Sequence, residues 1–363
     1  MNSNENGPAV SVIVAVYNAE GYLARCMDSL IGQKFTDMEI VVVNDGSTDG
    51  SQNIIDRYQR DYPATVTAIA QENQGTGATR NKGITHARGR YIGFVDCDDW
   101  VAPDMYEKMY AQAVTDESDI VMCDITQVYE GTKETEYLAG YRGQKPNPCC
   151  VSDFVMDSLN SAFAWNKIYK RELFKEIKFI ETWYEDVGTL PLLVSFSNKI
   201  SYMPTPLYFY VKRENSRTED GTNPRNAELI TAWENCIQHA NKAYEWEMAY
   251  SVYRSVAANI LHFDPPARDL FIRFLTDNRR YFETNDYARQ ALELGDALEL
   301  LESSITHHGK CRDMLSETQH HHAICRELLH ASEAQCRNLN EKLADAEARL
   351  KEVQERKPKR WSL

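Results

Sequence analysis

The first half of the chain alternates short apolar, β-branched runs with stretches whose apolar residues recur at helical spacing. This alternation predicts parallel strands joined by crossover helices. Such near-continuous apolar runs are typical of strands covered on both faces, and ligands of open α/β sheets bind beyond the carboxyl ends of the strands. The predicted strands are Val10 to Tyr17, Met38 to Asn44, Thr65 to Ala70, Arg90 to Val95 and Asp119 to Cys123.

Helices are expected between these strands. An apolar stripe follows Asn18, a residue type that caps helix N-termini well. Pro103 suits the first turn of a helix that carries Met105 and Met109. Residues 128–150 contain several glycines and prolines among polar groups, which predicts a loop that leads into a second half of the same domain.

The later part of the chain is predicted to be helical. The strand signal fades beyond about Asn223, and helical patterns cover Ala227 to His239 and Ala288 to Ser303. Near the end, apolar residues from Leu339 to Val353 step by 4, 3, 4 and 3, which is typical of a coiled-coil seam. Extended back to residue 325, the register spans about four heptads.

The chain therefore divides by pattern into several regions. A coiled coil predicts a homo-oligomer, either a dimer or a trimer. The predicted regions are a disordered N-terminus at 1–8, an α/β domain at 9–222 with halves at 9–127 and 128–222, a helical region at 223–324, a coiled coil at 325–354 and a basic tail at 355–363.

Composition narrows the class of protein. The 363 residues carry a formal net charge of −14, which disfavours binding to nucleic acid. No stretch approaches 18 consecutive apolar residues, so a cytoplasmic protein is expected, with most of its 9 cysteines reduced.

The tail from Arg356 to Trp361 mixes basic and aromatic residues, which suggests weak contact with an anionic membrane surface; a disordered soluble end is the alternative.

Three carboxylates, Asp96, Asp98 and Asp99, follow the apolar run that ends at Val95. Mg²⁺ and Mn²⁺ prefer oxygen ligands, and Mg²⁺ usually binds through one or two carboxylates plus the phosphates of a substrate. The pattern therefore suggests metal-assisted handling of a diphosphate. The alternative is a solvated acidic turn in which Asp99 caps the next helix.

The loop from Asn44 to Ser51 follows the second predicted strand and partly matches the spacing of a calcium-binding EF-hand. A strand rather than a helix precedes it, and Gln52 takes a position that is normally apolar, so we reject the calcium site. We interpret the segment as a strand-end turn in which Asp45 faces a ligand and one residue of 47–49 caps the next helix.

A third strand-end loop, from Asn73 to Asn81, is rich in glycine. Arg80 stands where a dinucleotide fingerprint has its third glycine, and the Gly-Lys-Ser/Thr of a P-loop is missing, so neither site is predicted. Arg80 either serves a substrate or pairs with one of the aspartate clusters. Further on, Glu185 and Asp186 precede a helical pattern, and taken alone they suit the acidic first turn of a helix.

Together these motifs resemble the nucleotide-sugar-binding half of family 2 glycosyltransferases, which have the GT-A fold. The resemblance covers about residues 9–220, and the set of motifs is specific although no single one decides. The matching segments are Val12–Asn18, Asn44–Asp49, Asn73–Gly75, Ala78–Gly83, Ala87–Gly89, Asp96–Trp100, Trp165–Arg171, Glu185–Asp186 and Pro206–Tyr210.

This resemblance implies an α/β fold of the GT-A (nucleotide-diphospho-sugar transferase) type. The expected architecture is a Rossmann-like mixed sheet flanked by helices, followed here by a helical C-terminal region with a terminal coiled coil. Asp186 is expected to be the catalytic base, with Glu185 beside it. Asp98 is expected to ligate a Mn²⁺ or Mg²⁺ ion that bridges the diphosphate.

The resemblance also implies a nucleotide-sugar-binding set. Asp45 is expected near the base and Asp96 near the ribose. Lys167 and Arg213 are expected to contact the diphosphate or the acceptor. The full set is Ala15, Val16, Tyr17, Asn18, Asp45, Asn73, Gly75, Arg80, Asp96, Cys97, Asp98, Lys167 and Arg213.

The expected function is therefore that of an inverting, metal-dependent glycosyltransferase that moves a sugar from a UDP-sugar donor to a glycan or lipid-linked acceptor in bacterial surface polysaccharide assembly. A position at the inner face of the plasma membrane would suit such a role.

Two alternatives to this function remain open. One is a nucleotidyltransferase, although Tyr17–Glu20 replaces its basic glycine-rich loop. The other is a non-catalytic sugar-nucleotide-binding scaffold organised by the coiled coil.

Overall fold

The computed structural model describes residues 7–141, 150–159, 161–213, 221–259, 263, 265–278 and 281–282. The predictions for residues 1–6, for the helix at 288–303, for the coiled coil at 325–354 and for the basic tail at 355–363 lie outside the described residues.

The first four strands form the predicted parallel half of a sheet, in the order β3-β2-β1-β4. Their β-branched residues are almost all buried in β1 and β2, as expected for strands covered on both faces. Each strand ends within one residue of its predicted end. The four strands are β1 (Val10–Val16), β2 (Met38–Asp45), β3 (Val66–Gln71) and β4 (Tyr91–Asp96).

Crossover helices follow β1, β2 and β3, and a fourth helix follows the acidic turn after β4. Helix α1 buries an apolar stripe of Leu23, Cys26, Met27 and Leu30, whereas the buried positions of α3 are Gly77, Thr79, Arg80 and Gly83. The helix predicted to carry Met105 and Met109 is confirmed as α4, and both residues are buried. The helices are α1 (Leu23–Ile31), α2 (Ser51–Asp61), α3 (Thr76–His86) and α4 (Met105–Thr115).

The expected helix cap at Asn18 is wrong. The helix begins only at Leu23, and Asn18 adopts a left-handed backbone conformation with φ of 48°. Its side chain instead accepts a hydrogen bond from Thr48 N at 2.8 Å, while its own N–H donates to Ser47 Oγ at 3.0 Å. Asn18 therefore joins the loop after β1 to the loop after β2.

The second half makes the sheet mixed. Strand β8 runs antiparallel to both β4 and β6, and β9 runs parallel to β6 and antiparallel to β5. Among the described residues the complete sheet has 9 strands in the order β3-β2-β1-β4-β8-β6-β9-β5, with β7 paired to β6. The additional strands are β5 (Trp100–Val101), β6 (Ile120–Tyr129), β7 (Thr135–Leu138), β8 (Lys167–Lys170) and β9 (Ile200–Lys212).

The loop predicted over 128–150 is partly wrong, because this region contains the turn and second strand of a hairpin. Strand β6 continues to Tyr129, Gly131 turns with φ of 76°, and β7 pairs back with Ile125 opposite Leu138. Tyr129 Oη also donates to Glu136 across the pair at 2.8 Å. The side chains of β7 are mostly exposed, so its sequence lacks the apolar alternation that identifies a half-buried strand.

Helices in the later part of the chain complete the described structure. The helix predicted over 227–239 is confirmed as α7. The described residues fall into two compact units that divide after His262, so α7 and α8 lie in the same unit as the sheet, and α9 lies in the second unit. The remaining helices are α5 (Val151–Asp157), α6 (Glu185–Phe196), α7 (Glu228–His239), α8 (Glu245–Asn259) and α9 (Pro265–Asp277). Within the ranges described, none of the helices has the length and apolar character needed to cross a bilayer.

Candidate active site

The carboxyl ends of four parallel strands meet at one edge of the sheet. Ala15 at the end of β1 lies opposite Val43 of β2 on one side and Asp96 of β4 on the other. Asp45 at the end of β2 lies opposite Gln71 of β3. The parallel registers therefore bring the predicted residues of these strand ends together, as expected for open α/β sheets.

The segment after β1 presents both buried and exposed residues at this edge. Val16 belongs to the hydrophobic core, Ala15 is half-buried, and Tyr17 and Asn18 are exposed. Asn73 and Gly75, in the loop after β3, are exposed as well. Apart from Val16, the predicted residues of these two loops can therefore meet a ligand.

Asp45 organises the loop that follows β3. Its Oδ1 accepts from Gln71 Nε2 at 2.8 Å and from Gln74 N at 2.9 Å, and its Oδ2 accepts from Gly75 N at 2.9 Å. Gly75 has φ of 88°, a conformation that favours glycine. The buried carboxylate thus holds the backbone of an exposed loop in a defined shape.

Arg80 lies beneath the site and connects it to the second half of the domain. The side chain is 5% exposed; its Nη2 donates to Asp96 at 2.9 Å and its Nη1 donates to Glu185 at 2.8 Å. Burial by itself would lower the pKa of the guanidinium, but Asp96, Glu185 and Asp186 together raise it above its ordinary value. Of the two alternatives for Arg80, the structure therefore shows the salt bridge to an aspartate of the acidic turn.

Glu185 and Asp186 form the first turn of α6. This placement suits their charge, since the N-terminus of a helix favours carboxylates. Asp186 Oδ1 accepts from Val187 N at 2.7 Å. Burial raises the pKa of the Asp186 carboxyl, against the opposing effect of the positive charge of Arg80. Asp96 also acts on this pKa, so the two carboxylates lie within electrostatic reach of each other.

The acidic turn after β4 contains two partly exposed carboxylates and one buried carboxylate. The side chains of Asp96 and Asp98 are 34% and 20% exposed. Asp99 is buried, accepts from Tyr208 Oη and from Val211 N at 2.8 Å each, and does not cap α4. The alternative in which Asp99 caps the next helix is therefore wrong, because the carboxylate turns inward to β9.

Two groups in this turn, the buried Asp99 and the half-buried Cys97, have shifted pKa values. Burial, together with the charge of Asp96, raises the pKa of Asp99 well above its ordinary value. Burial likewise raises the pKa of the Cys97 thiol to about 12. Cys97 is therefore a neutral neighbour of Asp96 and Asp98 rather than a thiolate.

Two arginines flank Asp98. Arg213, at the end of β9, forms an ion pair with the Asp98 carboxylate, and its guanidinium lies 4.8 Å from the Tyr22 ring centre. Arg25 of α1 donates to the Asp98 carbonyl oxygen at 2.8 Å and lies 4.1 Å from the Trp100 ring centre. Arg25 could not be identified from the sequence, because a single basic residue on a helix gives no signal.

Tyr208 was also missed as an individual site residue. Its hydroxyl accepts from Asp96 N at 3.2 Å and donates to Asp99, so it fixes the acidic turn against β9. Its ring stacks on Trp165 with centroids 4.3 Å apart. The Tyr-Phe-Tyr run at 208–210 was part of the resemblance, but nothing in its spacing distinguishes this tyrosine from its neighbours.

Lys167 is a charged residue of the predicted set that the fold buries almost completely. Its side chain is 1% exposed, and Nζ donates to Ser161 O, Phe163 O and Asn166 Oδ1 at 3.0, 2.7 and 2.6 Å. Burial lowers the pKa of this lysine to about 7. The ammonium therefore has three protein acceptors and does not share the open edge with Asp98.

The carboxylate oxygens at the acidic turn are suitable ligands for a hard divalent cation. Asp96 and Asp98 offer oxygen ligands only, both are partly exposed, and Asp98 already holds a positively charged group in Arg213. Within the described part of the chain, no three His, Cys, Asp or Glu side chains form a metal-binding group. A cation at Asp98 would therefore take further ligands from water or from a substrate.

Comparisons with known sequences agree with the predicted family. Residues 11–178 match the family described as Glycosyl transferase family 2. The chain is 37% identical over 216 residues to EpsH of Bacillus subtilis, and the matched region covers 56% of this chain and 60% of EpsH. It is 31% identical over 256 residues to the uncharacterized glycosyltransferase EpsJ of the same organism, and this match covers 67% of this chain and 70% of EpsJ. The chain spans less than two thirds of EpsH and of two further relatives.

A comparison of folds agrees as well. The structure is similar to the crystal structure of S. aureus TarS 1–349 in complex with UDP-GlcNAc, with a TM-score of 0.61 and 23% sequence identity. The similarity covers 81% of this chain and 86% of the TarS chain. It confirms the predicted mixed α/β fold.

Proposed function

The chain belongs to glycosyltransferase family 2, and from this premise we propose that it transfers a sugar from a nucleotide diphosphate donor to a hydroxyl group of a glycan or lipid-linked acceptor. The donor is a UDP-sugar. Transfer inverts the anomeric centre, and the acceptor belongs to a bacterial surface polysaccharide. The observation that carries the proposal is the bridge from Asp96 through Arg80 to Glu185, which joins the strand-end edge to the turn that holds Asp186.

Asp186 acts as the general base for the acceptor hydroxyl. Burial raises the pKa of its carboxyl, which makes the carboxylate a stronger base, while Arg80 opposes protonation and favours the ionised form. Glu185 is neutralised by Arg80 and orients the turn rather than receiving the proton. Direct attack by the deprotonated hydroxyl on the anomeric carbon is what inverts the configuration.

The nucleoside lies along the ends of β1, β2 and β3. Asp45 lies near the nucleoside base and holds the loop that contacts it. Its carboxylate accepts hydrogen bonds from the backbone amides of Gln74 and Gly75, and Asn73 of the same loop is exposed. Asp96 lies opposite Ala15, and its side chain is 34% exposed although it pairs with Arg80. The exposed part of this carboxylate can accept hydrogen bonds from the ribose hydroxyls.

The diphosphate lies over the acidic turn. Asp98 would hold a Mn²⁺ or Mg²⁺ ion, which when bound supplies positive charge to the leaving diphosphate oxygens. Arg213 is the second source of positive charge there, because its guanidinium already reaches Asp98 from the end of β9. Together these groups would stabilise the leaving nucleoside diphosphate.

The proposal is tested by measuring UDP release by the purified full chain. The substrates are UDP-glucose, UDP-galactose and their N-acetylamino counterparts, each with a panel of oligosaccharide and lipid-linked acceptors, with and without Mn²⁺. We expect acceptor-dependent release with at least one donor and a product of inverted anomeric configuration by NMR. Asp186→Asn should lower kcat by about 10² to 10⁴ while UDP still binds.

The same experiment separates the alternatives. UDP binding without turnover of any donor would favour a sugar-nucleotide-binding scaffold. Formation of a nucleotide sugar from a nucleoside triphosphate and a sugar phosphate would favour a nucleotidyltransferase. Retained anomeric configuration would contradict direct attack assisted by Asp186.

A further inference from the structure

Helix α6 carries Glu185 and Asp186 in its first turn and contains a proline, Pro191, in its interior. In an α-helix the N–H of residue 191 would donate to the carbonyl oxygen of Val187. Proline has no N–H, so this carbonyl lacks its helical donor. The missing hydrogen bond lies one residue after Asp186, within the turn that carries the acidic pair.

Helix α7 supplies a replacement donor. The Cys236 thiol donates to Val187 O at 3.3 Å and lies 3.7 Å from Gly188 O. Cys236 is fully buried, and burial raises the pKa of its thiol, so the S–H group remains protonated and available to donate. Next to it, Asn235 Nδ2 donates to Gly188 O at 2.9 Å.

The close approach of the two helices depends on Gly188. A Cβ atom there would lie 2.1 Å from Ile180 Cδ1 and 3.2 Å from Ala232 Cα. The absence of a side chain lets the backbone of α7 pass close to the first turn of α6. This contact brings Cys236 within reach of the Val187 carbonyl.

The residues just before the turn are held from the same side. Trp183 N donates to Glu228 Oε2 at 2.8 Å, and Tyr184 Oη donates to Asn226 Oδ1 at 2.8 Å. The segment 183–188 thus receives hydrogen-bonding partners from residues 226–236. Those residues lie beyond the end of the motif set that carries the family resemblance.

We propose that Cys236, assisted by Asn235, is a positioning residue for the turn that carries Glu185 and Asp186. This inference rests on the proposed function, in which Asp186 is the base. If the thiol is removed, a Val187 carbonyl that lies against α7 must shift to find another donor or remain unsatisfied. A shift of about 1 Å in a reacting group can lower the rate by about 10²-fold, so this thiol acts on catalysis without touching the substrate.

The hydrogen bond is tested by hydrogen exchange on the full chain, followed by mass spectrometry of peptides that cover 183–192. Cys236→Ala should speed exchange in this segment about fivefold or more, because the Val187 carbonyl loses its donor. Cys236→Ser keeps a donor and should retain slow exchange. Cys123→Ala removes another buried thiol, far in sequence from α6 and α7, and serves as the matched control for lost core volume.

The decisive variant is Pro191→Ala, which restores the N–H at position 191. In that background the carbonyl has its helical donor again, so Cys236→Ala should no longer change exchange in 183–192. A protein in which Cys236 only fills space would show the same effect of Cys236→Ala with and without the proline. That result would overturn the proposal.

The catalytic consequence is measured as UDP release from the UDP-sugar that the wild type uses fastest. Cys236→Ala should lower kcat about tenfold or more and leave the KM for the donor within about twofold, and the Pro191→Ala/Cys236→Ala double variant should recover kcat. Unchanged kcat in Cys236→Ala would refute the positioning role. If the wild type released no UDP, the proposed function would fail, while the exchange experiment would still decide whether α7 holds the turn.

Discussion

The guanidinium of Arg80 donates to Glu185 at 2.8 Å although the two residues lie 105 positions apart in the chain. Its other nitrogen donates to Asp96 at the end of β4. One buried side chain thus connects the parallel half of the sheet with the first turn of α6. The integrity of the candidate active site depends on this connection.

Replacing Arg80 should therefore destabilise the fold. Arg80→Gln leaves Glu185 as a buried carboxylate without its cation, and breaking a buried pair in this way typically costs about 3–5 kcal/mol of unfolding free energy. The measurement is urea denaturation at neutral pH. Arg60→Gln is the control, since Arg60 is 72% exposed beside Asp61 and should change stability by less than about 0.5 kcal/mol. A loss below about 1 kcal/mol for Arg80→Gln would contradict this account of the bridge.

The pH dependence of turnover should report Asp186. Because burial raises the pKa of this carboxyl, the base becomes protonated at a higher pH than an ordinary aspartate does. kcat should therefore rise with pH through a midpoint above about 3.9 and then level off. The residual activity of Asp186→Asn should lack this acid limb. An acid limb that survives the substitution would show that another group accepts the proton.

Lys167 should make stability depend on pH in the neutral to alkaline range. Its pKa is about 7 in the fold and 10.5 as the ordinary value, so between these pH values the unfolded chain binds more protons at this site than the folded one. Its contribution to the unfolding free energy therefore rises with pH from about 7 to about 10.5, by up to about 1.4 kcal/mol per pH unit. Below pH 7 both states are protonated and the contribution stays at its minimum.

The measurement for Lys167 is the stability of the wild type relative to Lys167→Met at several pH values. The difference should grow in favour of the wild type as pH rises through this window. Lys175 is exposed, and Lys175→Met should show no such trend. A difference that stays constant with pH would mean that the buried Lys167 titrates as it does in the unfolded chain.

Asp98 should couple nucleotide binding to a divalent cation. If its carboxylate holds the ion beside the diphosphate, Mn²⁺ should strengthen UDP binding to the wild type, and Asp98→Asn should lose most of that gain, by about tenfold or more. Calorimetry with and without Mn²⁺ measures both affinities. Asp61→Asn, an exposed position away from the strand ends, is the control. Equal stimulation by Mn²⁺ in Asp98→Asn would remove this residue from the metal site.

Secondary structure could be predicted from the sequence where it depends on a local pattern of side chains. It could not be predicted where it depends on contacts with distant parts of the chain. The four parallel strands follow from runs of buried β-branched residues, and their ends were predicted within one residue. Strand β7 was missed because its side chains are mostly exposed and its identity depends on pairing with β6. Asn18 was predicted to cap a helix, but its side chain is used by the loop after β2 instead.

The same distinction applies to the candidate site: some of its residues could be predicted from the sequence, but their contacts could not. The residue types and their positions at strand ends pointed to Asp45, Asp96 and Asp98, because parallel strands place their carboxyl ends on one edge. Motif matching to a known family added Asp186. The partners of these groups could not be predicted: Tyr208 with Asp99, and Cys236 with Val187, are contacts between segments whose separation in the chain carries no signal.

Local periodicity was sufficient to assign the α/β class, the common direction of the first four strands and the acidic residues that follow the strands, because backbone geometry couples side-chain spacing to secondary structure over a few residues. Tertiary structure decided which carboxylates are paired, which are buried and which face solvent. Desolvation and charge interactions depend on distances in space, and the groups that set them here come from strands and helices about a hundred residues apart.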